Sequence, residues 1–559
     1  MTLRTETTLD FAYQWEQQTP EQLWLTQPLP GGSTKTFTWR QAMDETRRMA
    51  AHLQSLGLPP GSRIALFSKN TAWWIMADLA IWMAGHVTVP LYPTLTPDII
   101  QYVLEHSEAK LVFVGKLDDY ETMAPGLGST VPRVVMPLAP AAAAGTGARW
   151  EDLVAKTEPL KGEVQRSPDD LATVVYTSGS TGRPKGVMTT FKAILGAVKP
   201  LQPTYHVTPA DRWISYLPLA HVFERWIVEN GSLVSGAQIF FAESLETFVK
   251  DLQRARPTIF ISVPRLWQKF QLGVFQKMPP EKLSMLLKIP IVKKLIGKKV
   301  LKGLGLDQVR LAGTGSAAIS AELISWYRSL GLQLFEGWAM SENFACGTVN
   351  HPGANKVGTI GKPFPGVEIK IAENGEILNK SPGMMTGYYK DPAATAEAFE
   401  DGWLKTGDKG ELDADGFLKI TGRVKEIFKT SKGKYVAPAY VETRLLLHPS
   451  LEMACVMGDG QPQPHAVVML SEAARKKAGD PSARAELVKS LTAHIATVNQ
   501  ALPAYEQLDF VAISPVEWTV QGGILTPTMK VRRGQMEKKY APAQDGWYAK
   551  GEKVFWLEA

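Results

Sequence analysis

Cysteine is almost missing from this chain: Cys346 and Cys455 are the two in 559 residues. They lie far apart and outside any Cys-x-x-Cys pair, which excludes a disulfide framework and a thiolate zinc site. A reducing, cytoplasmic setting follows as the simple expectation. Long hydrophobic runs are also missing. The most apolar early stretch, 71–90, contains Asp78 and His86, so it reads as a buried helix and strand and not as a membrane span. Residues 1–15 carry Arg4, Glu6 and Asp10 and no apolar h-region, which argues against a signal peptide. No repeat of fixed period occurs. Charge of one sign is in slight excess only, +6 over the whole chain. That suits an anionic ligand or a membrane surface and gives no reason to expect a nucleic-acid partner.

What is present is globular. Hydrophobic residues make up 45% and charged residues 21%, and the length calls for two or more domains. Apolar strand-like runs at 63–68, 87–91 and 110–114 alternate with helical spacing at 73–85 and 98–106. This β-α-β alternation predicts an α/β fold with a parallel, doubly wound sheet. Residues 139–147, nearly all Ala, Gly and Pro, read as a surface loop. A boundary is expected near Gly422, between a turn at 413–417 and a polar loop at 430–434. Beyond it, strands at 453–457 and 466–470 and a helix at 483–499 suggest a second, compact module. The segment 281–302 alternates lysine with Leu, Ile and Val around Pro290. It reads as a solvated helix with an apolar core face, or as a basic amphipathic contact at a membrane surface.

The strongest chemical signal is Tyr176-Thr177-Ser178-Gly179-Ser180-Thr181-Gly182-Arg-Pro-Lys185-Gly, placed after an apolar strand-like run at 171–175. Glycines let backbone N–H groups approach a polyphosphate, and hydroxyls and a lysine add donors and charge. It is not a Walker A loop, because Pro184 precedes Lys185 and Gly186 follows it. A second cluster, Gly313-Thr-Gly315-Ser316-Ala317-Ala318, follows a strand expected at 309–311. It satisfies a dinucleotide fingerprint, with Glu336 further on, so an NAD-dependent oxidoreductase is a rival reading. That reading leaves the first loop unexplained. Next comes Glu336-Gly337-Trp338-Ala-Met-Ser341-Glu342 after a strand at 333–335. Trp338 offers a ring for a purine and Glu342 a carboxylate for a hard cation. His221 sits in the apolar run 217–225. Asp408 suits a ribose diol, Arg423 an anion, and Lys530 stands in a Thr/Pro loop near the C-terminal end.

In this order, the motifs resemble the adenylate-forming superfamily of acyl-CoA synthetases, luciferases and peptide-synthetase adenylation domains, over about residues 37–533. Within it, 217–225, 431–438 and 525–530 look most like the long-chain fatty acyl-CoA synthetases. The resemblance implies a large N-terminal region (1–424) with two β/α sheets and a small β subdomain, and a small mobile α+β lid (425–559) hinged at Lys425. It implies that Thr177 to Gly182 and Lys185 wrap the phosphates of ATP. Gly315, Ser316 and Ala317 would line adenine, and Trp338 would stack on it beside Gly337 and Ser341. Thr177 and Glu342 would hold Mg2+. Asp408 would bind the ribose with Arg423 nearby, and His221 would sit by the acyl carboxylate. Lys530 would serve adenylation, and Gly433 would lie beside coenzyme A.

The implied activity is conversion of a fatty acid to acyl-AMP and then to acyl-CoA. Alternatives are an acyl-AMP ligase serving a carrier protein, a luciferase-like oxygenase, and a silent lipid-binding scaffold. The intact Thr177, Lys185, Glu342, Asp408 and Lys530 argue against the scaffold. A peripheral position at the inner membrane surface through 281–302, and a homodimer, are compatible with the sequence. Trp338-Ala339 replaces the family's usual Tyr-Gly, adding a methyl group near the expected acyl entrance.

Overall fold

The apolar runs of the N-terminal third supply the middle of an eight-stranded sheet. Its geometry comes from a computed structural model that describes residues 6–177 and 183–558. Strands Arg63–Phe67, Val87–Leu91 and Leu111–Val114 alternate with helices Ala72–Met83 and Pro97–Ser107. Arg63–Phe67 lies between the other two, parallel to both. Every residue of Ala72–Met83 is buried, which is why this helix shows no polar face in the sequence.

The sheet is mixed and not wholly parallel. Leu171–Thr177 joins Val87–Leu91 in parallel, but Lys185–Thr190 returns antiparallel beside it, pairing Thr177 with Lys185. The seven positions between those two residues are too few for a crossover, so the chain must fold back as a hairpin. Gly387–Tyr388 then adds antiparallel to Lys185–Thr190. This brings Tyr388, more than two hundred positions away, beside the strand that begins at Lys185.

The second β/α sheet expected from the resemblance is divided into two. One has four strands, including Leu23–Pro28 and Gln238–Phe241. The other runs Ile259–Ser262, Leu311–Thr314 and Leu334–Trp338 in parallel and closes with two short antiparallel strands. Two boundaries differ from the sequence reading. The strand expected at 309–311 begins at Leu311, because Val309 N–H closes a turn onto Leu306 O and Arg310 is drawn into a pair with Asp211. The strand expected at 333–335 continues to Trp338, so the motif tryptophan is itself a strand residue.

A smaller sheet built on Glu376–Lys380, Trp403–Leu412 and Leu418–Arg423 follows. The C-terminal domain is a separate four-stranded sheet, Leu451–Met457, His465–Leu470, Val511–Ile513 and Val554–Trp556. Helices Pro438–Leu445 and Pro481–Gln500 belong to it, and their apolar faces share one buried cluster with its strands. Residues 139–147 form a loop with one short turn, Ala141–Ala143. The lysine-rich segment breaks at Pro290 into helices Pro280–Leu287 and Pro290–Leu304. Among the described residues no helix is long and apolar enough to cross a membrane.

Candidate active site

The parallel strands Leu311–Thr314 and Leu334–Trp338 end side by side, and a mostly apolar pocket opens at their carboxyl ends, where open α/β sheets bind ligands. Its wall includes His221, Phe223, Trp226, Gly315, Trp338 and Phe364. Two glycines there are packed closely, and one of them is a steric necessity. A Cβ on Gly315 would sit 3.3 Å from Gly337 O and 3.6 Å from the Phe223 ring. A Cβ on Gly347 would fall 2.2 Å from Trp338 O, a distance no side chain tolerates. Ser316 holds a left-handed φ of 68°, and Ser316 and Ala317 are exposed at the lip.

The polar residues converge on Asp408. Trp338 Nε1 donates to its Oδ2 at 2.7 Å, and Arg423 Nε donates to its Oδ1 at 2.7 Å. The tryptophan standing where a tyrosine was expected therefore brings an N–H that fixes the acid. Ser341 opens a tight turn, Ser341–Asn343, and Glu342 within it accepts a hydrogen bond from Tyr388 O–H at 2.8 Å. The Lys185 ammonium lies 5.1 Å from the centre of the same tyrosine ring. Tyr388 thus links Lys185 to Glu342. Thr177 ends its strand half-buried; Ser178, Gly179, Ser180, Thr181 and Gly182 lie outside the described residues.

His221 is set by a buried scaffold. Glu224 Oε1 accepts from Ser215 Oγ and from Tyr216 N–H, both at 2.9 Å. Asn70 accepts Leu219 N–H at 3.0 Å and donates to Leu217 O at 2.6 Å. Burial pushes the Glu224 carboxyl up to about 8, so it stays protonated at neutral pH. His221 caps the next turn, its Nδ1 accepting Phe223 N–H at 3.1 Å. Loss of hydration, with the nearby Lys530 charge adding to it, pushes the imidazole down to about 3. It is therefore neutral, and the proton sits on Nε2. The chain continues into a π-helical turn, Arg225–Asn230, an arrangement frequent at functional sites. There Arg225 is fully buried between Asp78 and Glu229, which explains a charge inside the apolar stretch 71–90.

The C-terminal domain closes over this mouth. Pro527 O accepts a hydrogen bond from Thr94 at 3.2 Å, Arg265 pairs with Glu452, and Gln268 donates to Leu446 O. Lys530 follows Met529, whose φ of 62° turns the loop tightly. Lys530 keeps exposed surface, yet protein atoms crowd its ammonium. Its pKa falls below the ordinary lysine value through desolvation and the repulsion of Arg423, against the attraction of Asp408 and Glu426. Lys425 is exposed in the turn after Arg423. Gly433, with a φ of 76°, lies in the turn between Phe428–Lys429 and Tyr435–Val436 and is not part of the pocket wall. Lys530, His221, Asp408, Arg423 and Trp338 are brought together in this arrangement; Gly433 is not.

Comparison with known proteins decides what this arrangement belongs to. Residues 12–389 match the model of the AMP-binding enzymes, and residues 425–552 match that of the AMP-binding enzyme C-terminal domain. The chain belongs to the AMP-binding enzyme family. Among its relatives, the Mycobacterium bovis long-chain-fatty-acid–CoA ligase FadD15 is 32% identical, with 96% of each chain covered. Human long-chain-fatty-acid–CoA ligase 1 is 31% identical over 88% of this chain and 79% of its own. In fold it is similar to the anthranilate CoA ligase AuaEII solved with anthranoyl-AMP, at TM-score 0.77 and 21% identity, covering 98% of this chain and 99% of that one. The adenylation domain of a carboxylate reductase from Mycobacterium chelonae aligns at TM-score 0.80 and 22% identity, over 97% and 91%.

Several working parts of this AMP-binding enzyme carry no motif. Tyr388 meets Lys185 only through sheet pairing across the chain. Gly347 is one of 47 glycines, and nothing local distinguishes it. Asn70 and Ser215 reach Glu224 from separate segments. Glu224 itself had a signal, an acid inside the apolar run that carries His221, since a lone acid in such a run must find partners or stay protonated.

Proposed function

We propose that this enzyme activates a long-chain fatty acid with ATP, forming acyl-AMP and pyrophosphate, and then transfers the acyl group to coenzyme A. The observation that carries this reading is the position of Lys530. It comes from the C-terminal domain, yet its charge acts on His221 and answers to Asp408 and Arg423 at the mouth of an apolar pocket. The two ligases at 31–32% identity support the substrate class. We take 1–424 as the substrate-holding region and 425–559 as the lid, with Lys425 as hinge.

A carboxylate is a poor acyl donor, and joining it to AMP supplies a leaving group. In the first step a carboxylate oxygen attacks the α-phosphorus of ATP; the new O–P bond forms as the bond to the β-phosphate oxygen breaks. The alkyl chain lies in the pocket walled by Phe223, Trp226 and Phe364. Neutral His221 offers its Nε2–H to a carboxylate oxygen and orients it. Lys530 and Lys185 meet the charge that builds on the phosphoryl oxygens, which is stabilisation by position and electrostatics. Asp408, held by Trp338 and Arg423, takes the ribose hydroxyls. Ser316 and Ala317 at the lip, with Trp338, take the base.

Mg2+ fits this donor set. Thr177 and Glu342 offer hard oxygens, Glu342 Oε2 has no hydrogen-bond partner among the described residues, and phosphates and water complete such a site. Bound there, the ion would neutralise phosphate charge.

In the second step the coenzyme A sulfur attacks the acyl carbonyl, the bond to the AMP oxygen breaks, and the thiol proton passes to water. Lys530 must leave and Gly433 must approach, which a rotation at Lys425 accomplishes. The test is Lys530→Ala. Pyrophosphate release should fall by about 10²–10³-fold, while thioester formation from supplied acyl-AMP persists. An unchanged rate of pyrophosphate release would refute the assignment.

A further inference from the structure

We propose that the helical hairpin spanning 280–304 docks this protein on the surface of an anionic phospholipid bilayer. Large hydrophobic side chains cluster here in the open. Met285 is 61% exposed, Ile289 50%, Ile291 77% and Leu295 66%. Ile289 and Ile291 flank Pro290 at the tip of the hairpin. Ile291, Lys294, Leu295 and Lys298 share one helix face by spacing, and with Pro290 they line an open groove.

These residues are not a core face misread as surface. The opposite face of Pro290–Leu304 already makes the core contacts. Gly297 is buried so closely that a Cβ would stand 2.3 Å from Leu330 O, and Leu301 and Leu304 pack on the cluster holding Leu252 and Leu306. The apolar groups at the tip are left over once the fold is satisfied. That disfavours a helix whose apolar side only faces inward, because the helix has two apolar faces and the core takes one.

Charge selects the occupant. Lysines 282, 288, 293, 294, 298, 299 and 302 fall in a stretch with no Asp or Glu from 282 to 306. All seven are exposed, and none pairs with an acid among the described residues. A second copy of the same face would bring lysine against lysine. An anionic headgroup layer accepts the lysines while the isoleucines and leucine enter the acyl boundary, as amphipathic interfacial helices do. The fifteen residues of Pro290–Leu304 are too few to span a bilayer, so the helix lies along it. The use of such docking, collecting a substrate that partitions into lipid, rests on the fatty-acid reading above; the binding does not.

The experiment is co-sedimentation of the full chain, without substrate, with vesicles of phosphatidylcholine alone or mixed with phosphatidylglycerol. Binding should appear on the mixed vesicles and weaken by at least about tenfold as salt is raised, since screening acts within a Debye length. Ile291→Asp with Leu295→Asp should abolish it, and Lys294→Glu with Lys298→Glu should reduce it at least about tenfold. Adenylation of a short soluble acid should be unchanged in both variants. Failure to bind, equal binding to both vesicle types, or unchanged binding by the Asp variant would overturn the proposal. So would a dimer in solution that the Asp variant converts to monomer without any lipid binding. Loss of acyl activation in the wild-type chain would instead count against the fatty-acid reading alone.

Discussion

Glu224 does its work as a neutral acid. Its carboxyl has been moved to about 8 by burial, and one oxygen gathers three donors, from Ser215, Tyr216 and Asn70. Glutamine presents the same accepting oxygen. Glu224→Gln should therefore retain catalysis, whereas Glu224→Ala leaves Ser215 and the Tyr216 N–H unpaired. The alanine variant should lose about 1–3 kcal/mol of stability and raise KM for the acid through a misplaced His221. Urea unfolding and initial rates for the two variants check this; equal damage by both would remove the positioning role. Arg225 belongs to the same scale. Deleting one member of a fully buried ion pair costs about 3–5 kcal/mol, so Arg225→Ala should unfold far more easily than wild type. At this scale the sequence was readable wherever a residue type has few other uses. Asp408, Arg423 and Lys530, singled out in the sequence, lie together in the structure. Tyr388 and Gly347 were invisible, because one acts through strand pairing and the other through a backbone approach, and neither leaves a local pattern.

In the proposed cycle, elements carry the change of state between the two chemical steps. Leu418–Arg423 ends at the residue that holds Asp408, and exposed Lys425 follows in a tight turn where Glu426 N–H and Ile427 N–H both donate to Arg423 O. Lys425→Pro fixes that backbone. Adenylation should persist and thioester formation should be blocked, measured as pyrophosphate release against acyl-CoA yield; equal loss of both would contradict the hinge. The C-terminal domain is held at one edge by Arg265 with Glu452 and Gln268 with Leu446 O. Buried strands and capped helices were legible: Val87–Leu91 lies where its apolar run predicted, and Pro481–Gln500 contains the expected 483–499. Boundaries failed where a side chain outbid the periodicity, as Arg310 did in pairing with Asp211. The antiparallel return of Lys185–Thr190 was missed because alternation alone suggests parallel strands, while loop length decides the direction.

The whole molecule carries opposing titrations. His221 is held near 3, and His448 and His465 near 4, each chiefly by desolvation. Unfolded, they bind protons near 6.5, so the stability present above that pH is lost as pH falls through it. Glu224 and Glu336 are raised to about 8 by burial. Unfolded they ionise near 4.5, so folding loses stability as pH rises from there to 8. Between 6.5 and 8 the carboxyls of this set outweigh its histidines, and stability should decline across that window, less so in Glu224→Gln. Unfolding free energies from pH 5 to 8.5 check this; a steady rise to pH 8.5 would contradict it. Ligand linkage separates the proposed ATP reading from the dinucleotide fingerprint at Gly313: ATP should raise the melting temperature and NAD should leave it unchanged.

The most direct test of the central claim uses the purified chain with MgATP, coenzyme A and fatty acids of graded length, with products identified by mass spectrometry. Acyl-CoA and AMP in equal amounts, best with long chains, are the predicted result. Acyl-AMP accumulating without thioester, or no ATP-dependent product from any fatty acid, would contradict it.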